Sequence, residues 1–237
     1  LTLARNRKAF DKAMKKAASH AWNRSWAKAI KAYSSALKEF PDDEAALVGL
    51  GVAYLESDQL ESAREIFQKL QSAVPDDPVI LSYVATLEER LGNADKASVF
   101  LMNLAAVCEE QGDLERAVEA WTRAIQLVPA LSEAYHKLVE TYRDLSQPEK
   151  AVAVCLAAAR EWQARGQTAE MVLMLRSALQ LEPRNEEATR LLEWADVTSD
   201  VEQSSDDKGH GPIESAKKAA WGELAEMLFE DLSLEMM

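Results

Sequence analysis

Apolar and small side chains recur along this chain at offsets of three and four, with polar residues between them. Ala29, Tyr33 and Ala36 stand ahead of Pro41, and Ala63, Phe67 and Leu70 stand in the same order ahead of Pro75, 34 residues on. Before the second set come Leu47, Leu50, Gly51 and Tyr54. Each set falls on one face of an α-helix. The spacing predicts pairs of antiparallel helices. Small Gly51 and Ala63 let the two approach closely, while Tyr54 and Phe67 fill the space between turns. Pro41 and Pro75 end the second helix of a pair, and Asp43 and Asp77 can cap the next. Pro78 then falls at a first helical position, where its missing N–H costs little.

Beyond Pro75 the period changes. Shifting residues 78–130 by 54 superposes ten identical positions without a gap, among them Leu91 on Leu145, Ala97 on Ala151, Gly112 on Gly166 and Pro129 on Pro183. Chance would give about three. Each 54-residue unit reads as three helices, 79–91, 95–110 and 114–128, then 132–144, 148–164 and 168–181. Breaks are marked by Gly92-Asn93, Gly112-Asp113 and Gly166, and Pro148 suits a helix start. The middle helix carries both halves of the pattern. Ala97, Leu101 and Leu104 make it a second helix to its predecessor, and Leu101, Leu104, Ala105 and Cys108 make it a first helix to its successor. Two 34-residue repeats thus share one helix. In a strict zigzag, three helices per unit would swap inner and outer layers in successive units, a point the sequence leaves open.

The order Leu47, Leu50-Gly51, Tyr54, Ala63, Phe67, Leu70, Pro75 resembles the tetratricopeptide repeat, a 34-residue helix pair. The resemblance covers residues 10–195 and implies an all-α fold, a two-layer α-α superhelical solenoid of tetratricopeptide-like repeats. The expected organisation is a basic extension over 1–9, two 34-residue repeats over 10–77, and three-helix units over 78–195 (78–131, 132–185 and a partial 186–195). Lys16 departs from the pattern at an expected core position. The resemblance also implies a partner-binding groove lined by Met14, Val48, Val52, Ser82, Tyr83 and Thr86. Some members clamp a partner's acidic C-terminus with Lys and Asn; here Met14, Ala18, Gly49, Val79 and Tyr83 occupy those positions, with Lys15 alone as a possible remnant, which disfavours that clamp. What remains is apolar and small, suited to an amphipathic helix laid in a groove.

Residues 196–212 are polar, acidic and end in Gly and Pro, and read as a flexible linker. Residues 213–237 read as an amphipathic helix with Trp221, Leu224, Leu228, Phe229 and Leu232 on or beside one stripe. This stripe is expected to dock on the repeats of its own or another copy, or to begin a following domain.

Charge changes the picture. The chain carries a net −13, yet residues 1–40 hold ten Lys and Arg against two Asp and Glu. Lys12, Lys15, Lys16, Arg24, Lys28 and Lys31 form a basic patch that could meet an acidic protein, and binding of nucleic acid through it is the less favoured expectation. No run of apolar residues is long enough for a membrane span. The chain opens at Leu1 with no initiator Met and no apolar signal core, which reads as a segment excised from a longer protein. Cys108 and Cys155 lie in helical patterns and read as small core residues of a reducing compartment, so a cytoplasmic location is expected. No catalytic, metal-binding or cofactor-binding set emerges: no Gly-rich phosphate loop, and no His paired with a carboxylate or thiol at ligand spacing. The expected function is a non-enzymatic scaffold that binds another protein's helix or peptide, a groove its own C-terminal helix could also occupy. The alternative is a regulatory or recruiting arm of a larger enzyme or signalling protein.

Overall fold

A computed structural model describes residues 6–206, which form eleven α-helices and no strand. They are α1 (Arg7–Trp22), α2 (Trp26–Glu39), α3 (Glu44–Glu56), α4 (Leu60–Ala73), α5 (Pro78–Arg90), α6 (Ala94–Glu110), α7 (Leu114–Leu127), α8 (Ser132–Asp144), α9 (Pro148–Arg165), α10 (Thr168–Leu181) and α11 (Glu186–Asp206). The chain divides into two compact units, Leu1–Pro183 and Arg184–Met237. The first holds α1 to α10, an all-α helical repeat in which each helix packs on the next.

The helices begin and end where local chemistry dictates. Asp43 Oδ1 accepts from the Ala46 N–H at 2.9 Å, and Asp77 Oδ1 accepts from Val79 and Ile80, so both aspartates cap as their positions suggest. Gly51 is where α3 meets α4: a Cβ there would stand 2.9 Å from the tip of the buried Phe67 ring. At the start of the chain the structure departs from expectation. Asn6 accepts from the Ala9 N–H and α1 begins at Arg7, inside the stretch read as an extension. Phe10 is buried edge-to-face against Phe40, centroids 5.0 Å apart, which holds this first turn onto the end of α2. Lys16 is exposed, and its neighbour Ala17 takes the buried position.

Two kinds of turn alternate. Six turns pass through a left-handed residue: Arg24, Asp58, Gly92, Gly112, Ser146 and Gly166. In each, the following N–H donates to a carbonyl five residues back, as from Asn93 to Glu88, Asp113 to Cys108 and Gln167 to Trp162. The turns after α2, α4 and α7 instead carry Pro41, Pro75 and Pro129. Within the helix pairs the two kinds strictly alternate, but α6 and α9 have a left-handed turn at both ends. Each is the second helix of one pair and the first of the next. The bounds of α5 and α7 recur 54 residues later in α8 and α10 without a residue's difference.

Side chains between alternate helices fix the layers. Arg90 of α5 donates to the Leu55 carbonyl at the end of α3 (2.7 Å) and to Asp58 (3.1 Å). Arg123 of α7 donates to Glu89 of α5 at 2.6 Å. Thr141 of α8 donates to Glu109 of α6, also at 2.6 Å, and the same Glu109 oxygen accepts from the Trp121 indole. Odd helices therefore adjoin odd, and even adjoin even, straight through the change of period. Helices that correspond in sequence, α5 and α8 for example, consequently lie in opposite layers.

The turn chemistry yields one test. Nothing lies within 4 Å of a Cβ built on Gly112, whose φ is 76°. The cost of Gly112→Val is thus backbone strain alone, about 1–2 kcal/mol. Ser146, at φ 56°, already bears that strain, so Ser146→Gly should gain up to about 1 kcal/mol, net of the extra freedom glycine adds to the unfolded chain. Thermal melts should move in opposite directions, by roughly 2–4 °C per kcal/mol. An unchanged midpoint for Gly112→Val would refute the strain argument.

Residues 196–206 were expected to be linker, but α11 runs to Asp206. The stretch has polar composition but contains no Gly or Pro before Gly209, so nothing in the backbone stops a helix already under way.

Candidate functional site

Helix α3 adjoins both α1 and α5 in one layer. Over them opens a pocket of about 610 Å³. Its α3 wall is Ala45, Val48, Gly49 and Val52, one stripe of the helix at offsets of three and four. Trp26 and Tyr33 enter from α2, Tyr83 from α5 and Ala21 from the end of α1, while Glu44 brings a carboxylate from the first turn of α3. Gly49 makes room for the Tyr33 ring: a Cβ at Gly49 would collide with its Cε1 and Cζ. Tyr83 stacks one face on Phe67, centroids 5.7 Å apart and planes at 15°, and presents the rest of its ring to the pocket. Trp22, 88% exposed, ends α1, and Val79, 45% exposed, lies in the first turn of α5.

Of the six residues expected to line a groove, Val48, Val52 and Tyr83 come together here. Met14 is half-buried against Phe10 and Tyr33 and their neighbours. Ser82 accepts the Thr86 hydroxyl through its carbonyl, and Thr86 in turn lies 3.4 Å from Arg123. These three do not line the pocket. Trp26, Tyr33 and Glu44 do, none of which periodicity marks as a groove residue, and so does Gly49, which the resemblance sets at a clamp position. Lys12, Lys15, Lys16, Arg24, Lys28 and Lys31 are all exposed, and no ion pair among the described residues engages them. Trp221, Leu224, Leu228, Phe229 and Leu232 lie outside the described residues.

Burial raises the Tyr33 phenol above its ordinary pKa and pushes the Cys155 thiol up to about 11; Cys108 is raised as well, chiefly by burial. Both thiols are therefore held neutral, the opposite of what a nucleophile needs. Among the described residues, no group of three or more His, Cys, Asp or Glu could hold a metal ion, and no helix is long and apolar enough to cross a membrane.

Residues 23–87 and 98–131 each match a sequence family described as tetratricopeptide repeat. The second match starts in α6 and counts it as a first helix, in keeping with its left-handed turns on both sides. Over 135 residues the chain is 30% identical to Superkiller protein 3 of Schizosaccharomyces pombe, which takes in 56% of this chain and 9% of that protein. Over 149 residues it is 28% identical to Protein FlbA of Caulobacter vibrioides, 57% of this chain and 25% of that one. The chain thus spans a quarter or less of the curated relatives it matches. Among solved structures it is similar to that of MamA, at 18% identity and a TM-score of 0.40, covering 68% of this chain and 95% of the other.

Proposed function

The chain is a tetratricopeptide repeat protein, and from that premise we propose that it is a non-catalytic scaffold whose α1–α3–α5 face binds an apolar-studded segment of another protein. The observation that carries this reading is the pocket itself. Val48, Val52 and Tyr83 stand half-buried in a concavity, where a segment laid across α3 would cover them. The great length of the relatives favours a second, compatible reading, in which the segment is the recruiting arm of a larger protein.

The test is selection of helical peptides from a displayed library against the chain, followed by substitution on the chain. The synthetic peptide of residues 213–232 is a natural first ligand, since its sequence sets Trp221, Leu224, Leu228 and Leu232 at helical spacing. Val48 and Val52 are half-buried at the rim of the core, so the carboxylate of Val48→Glu or Val52→Glu can turn out to water, the fold should survive and its circular dichroism should be unchanged. Binding should weaken about 10- to 100-fold, as for the loss of a central anchor. Lys28→Glu and Lys31→Glu on α2 should change it little. Binders indifferent to Val48 and Val52, or dependent on the lysines instead, would overturn the reading.

A further inference from the structure

The pocket's polar groups narrow what can occupy it, on the reading that this face docks a protein segment. We propose that it receives a cationic side chain, arginine or lysine, carried by that segment. Glu44 is the sole charged residue of the lining, and no Lys or Arg lines the pocket. Tyr33 is 8% exposed, yet no hydrogen bond among the described residues engages its hydroxyl. That hydroxyl lies 2.8 Å from where a Gly49 Cβ would stand, so it sits at the floor of the pocket beside the gap the glycine leaves. With no protein partner, that hydroxyl is left to water at the pocket wall, and a ligand that fills the pocket must either replace that water with a hydrogen-bonding group or leave the oxygen unsatisfied.

Each remaining feature of the lining selects among ligands. The faces of Trp26 and Tyr83 attract cations through their negative π clouds, and Val48 and Val52 suit the methylene stem of a long basic side chain. A guanidinium or ammonium would donate to both the Tyr33 oxygen and the Glu44 carboxylate. An aliphatic anchor would leave both unsatisfied as it shed their water. An anionic anchor would meet Glu44 with no cation in the lining to balance it. The exposed lysines of α1 and α2 do not reverse this choice. They lie outside the lining, and at physiological salt their field is screened over about 8 Å, whereas contacts inside a pocket are screened far less.

The experiment uses the full chain, isotope-labelled, and follows the Gly49 amide and Trp26 indole resonances by NMR. The probes are N-acetyl-arginine amide, N-acetyl-lysine amide and N-acetyl-leucine amide. Saturable shifts of both resonances are expected with one or both cations, at least about tenfold tighter than with leucine. Tyr33→Phe keeps the ring and removes only the hydroxyl, and Glu44→Gln removes only the charge. Both variants should melt as the parent does, and each should weaken the cation several-fold while leaving leucine unchanged. Equal or tighter binding of the leucine probe, or no saturable shift with either cation, overturns the proposal. So does cation binding indifferent to Glu44→Gln and Tyr33→Phe. In all of these cases the scaffold reading still stands if selected peptides depend on Val48 and Val52, so the two failures are told apart.

Discussion

Trp162→Ala should produce a large loss of stability in the first compact unit. Trp162 is 1% exposed and is the largest of the fully buried side chains. It lies on α9, the helix that serves both α8 and α10, and meets Tyr135 of α8 edge-to-face at 5.1 Å. Truncation removes its burial and leaves a cavity, together about 3–5 kcal/mol. Because repeats contact only their neighbours, the damage should be local. Hydrogen exchange should quicken across α8, α9 and α10 and stay slow in α3 and α4. Uniform loss of protection along the whole chain would refute the idea of nearest-neighbour coupling.

The second large effect comes from Gly51→Leu. Its Cβ alone would press on Phe67, which is itself buried, and on the Ile66 methyl at 3.2 Å. Three further carbons would add to that crowding. Overpacking of this kind costs about 1–3 kcal/mol or more, against roughly 1 kcal/mol regained by removing glycine from a helix interior. A clear net destabilisation is expected in chemical denaturation, and Phe67→Leu in the same chain should restore part of it. A Gly51→Leu protein as stable as the parent would show that α3 and α4 are not in the close contact that Gly51 permits.

Much of this architecture can be read in the sequence, because it rests on short-range rules. Left-handed glycines, capping aspartates and prolines punctuate the helices, and the identity of Gly112 and Gly166 marks the 54-residue offset in the sequence itself. Arg24, Asp58 and Ser146 hide the same turn behind side chains that do not advertise it. The pocket was harder to foresee for a different reason. It needs a missing side chain on one helix, at Gly49, and a long ring from another, at Tyr33. Periodicity assigns Tyr33 to the core face of α2, which is correct, but it does not say that the ring is long enough to pass α3 and line the far side. The layer assignment likewise waited for the Arg123–Glu89 and Thr141–Glu109 contacts, since no single helix records which of two layers it joins.

Those contacts amount to a statement about symmetry. A two-helix repeat is carried onto the next by a translation and a small rotation that keep each helix in its layer and its direction. The step from α5–α6–α7 to α8–α9–α10 reverses both layer and helix direction, so it combines a translation with a half-turn about the line of the array, as a two-fold screw does. Such units therefore have parity. Duplicating one of them would turn everything downstream to the opposite side of the array, and duplicating two would bring it back. A lineage or a designer that lengthens such a chain by single 54-residue steps moves every later surface to the reverse face, whereas steps of 34 leave it where it was.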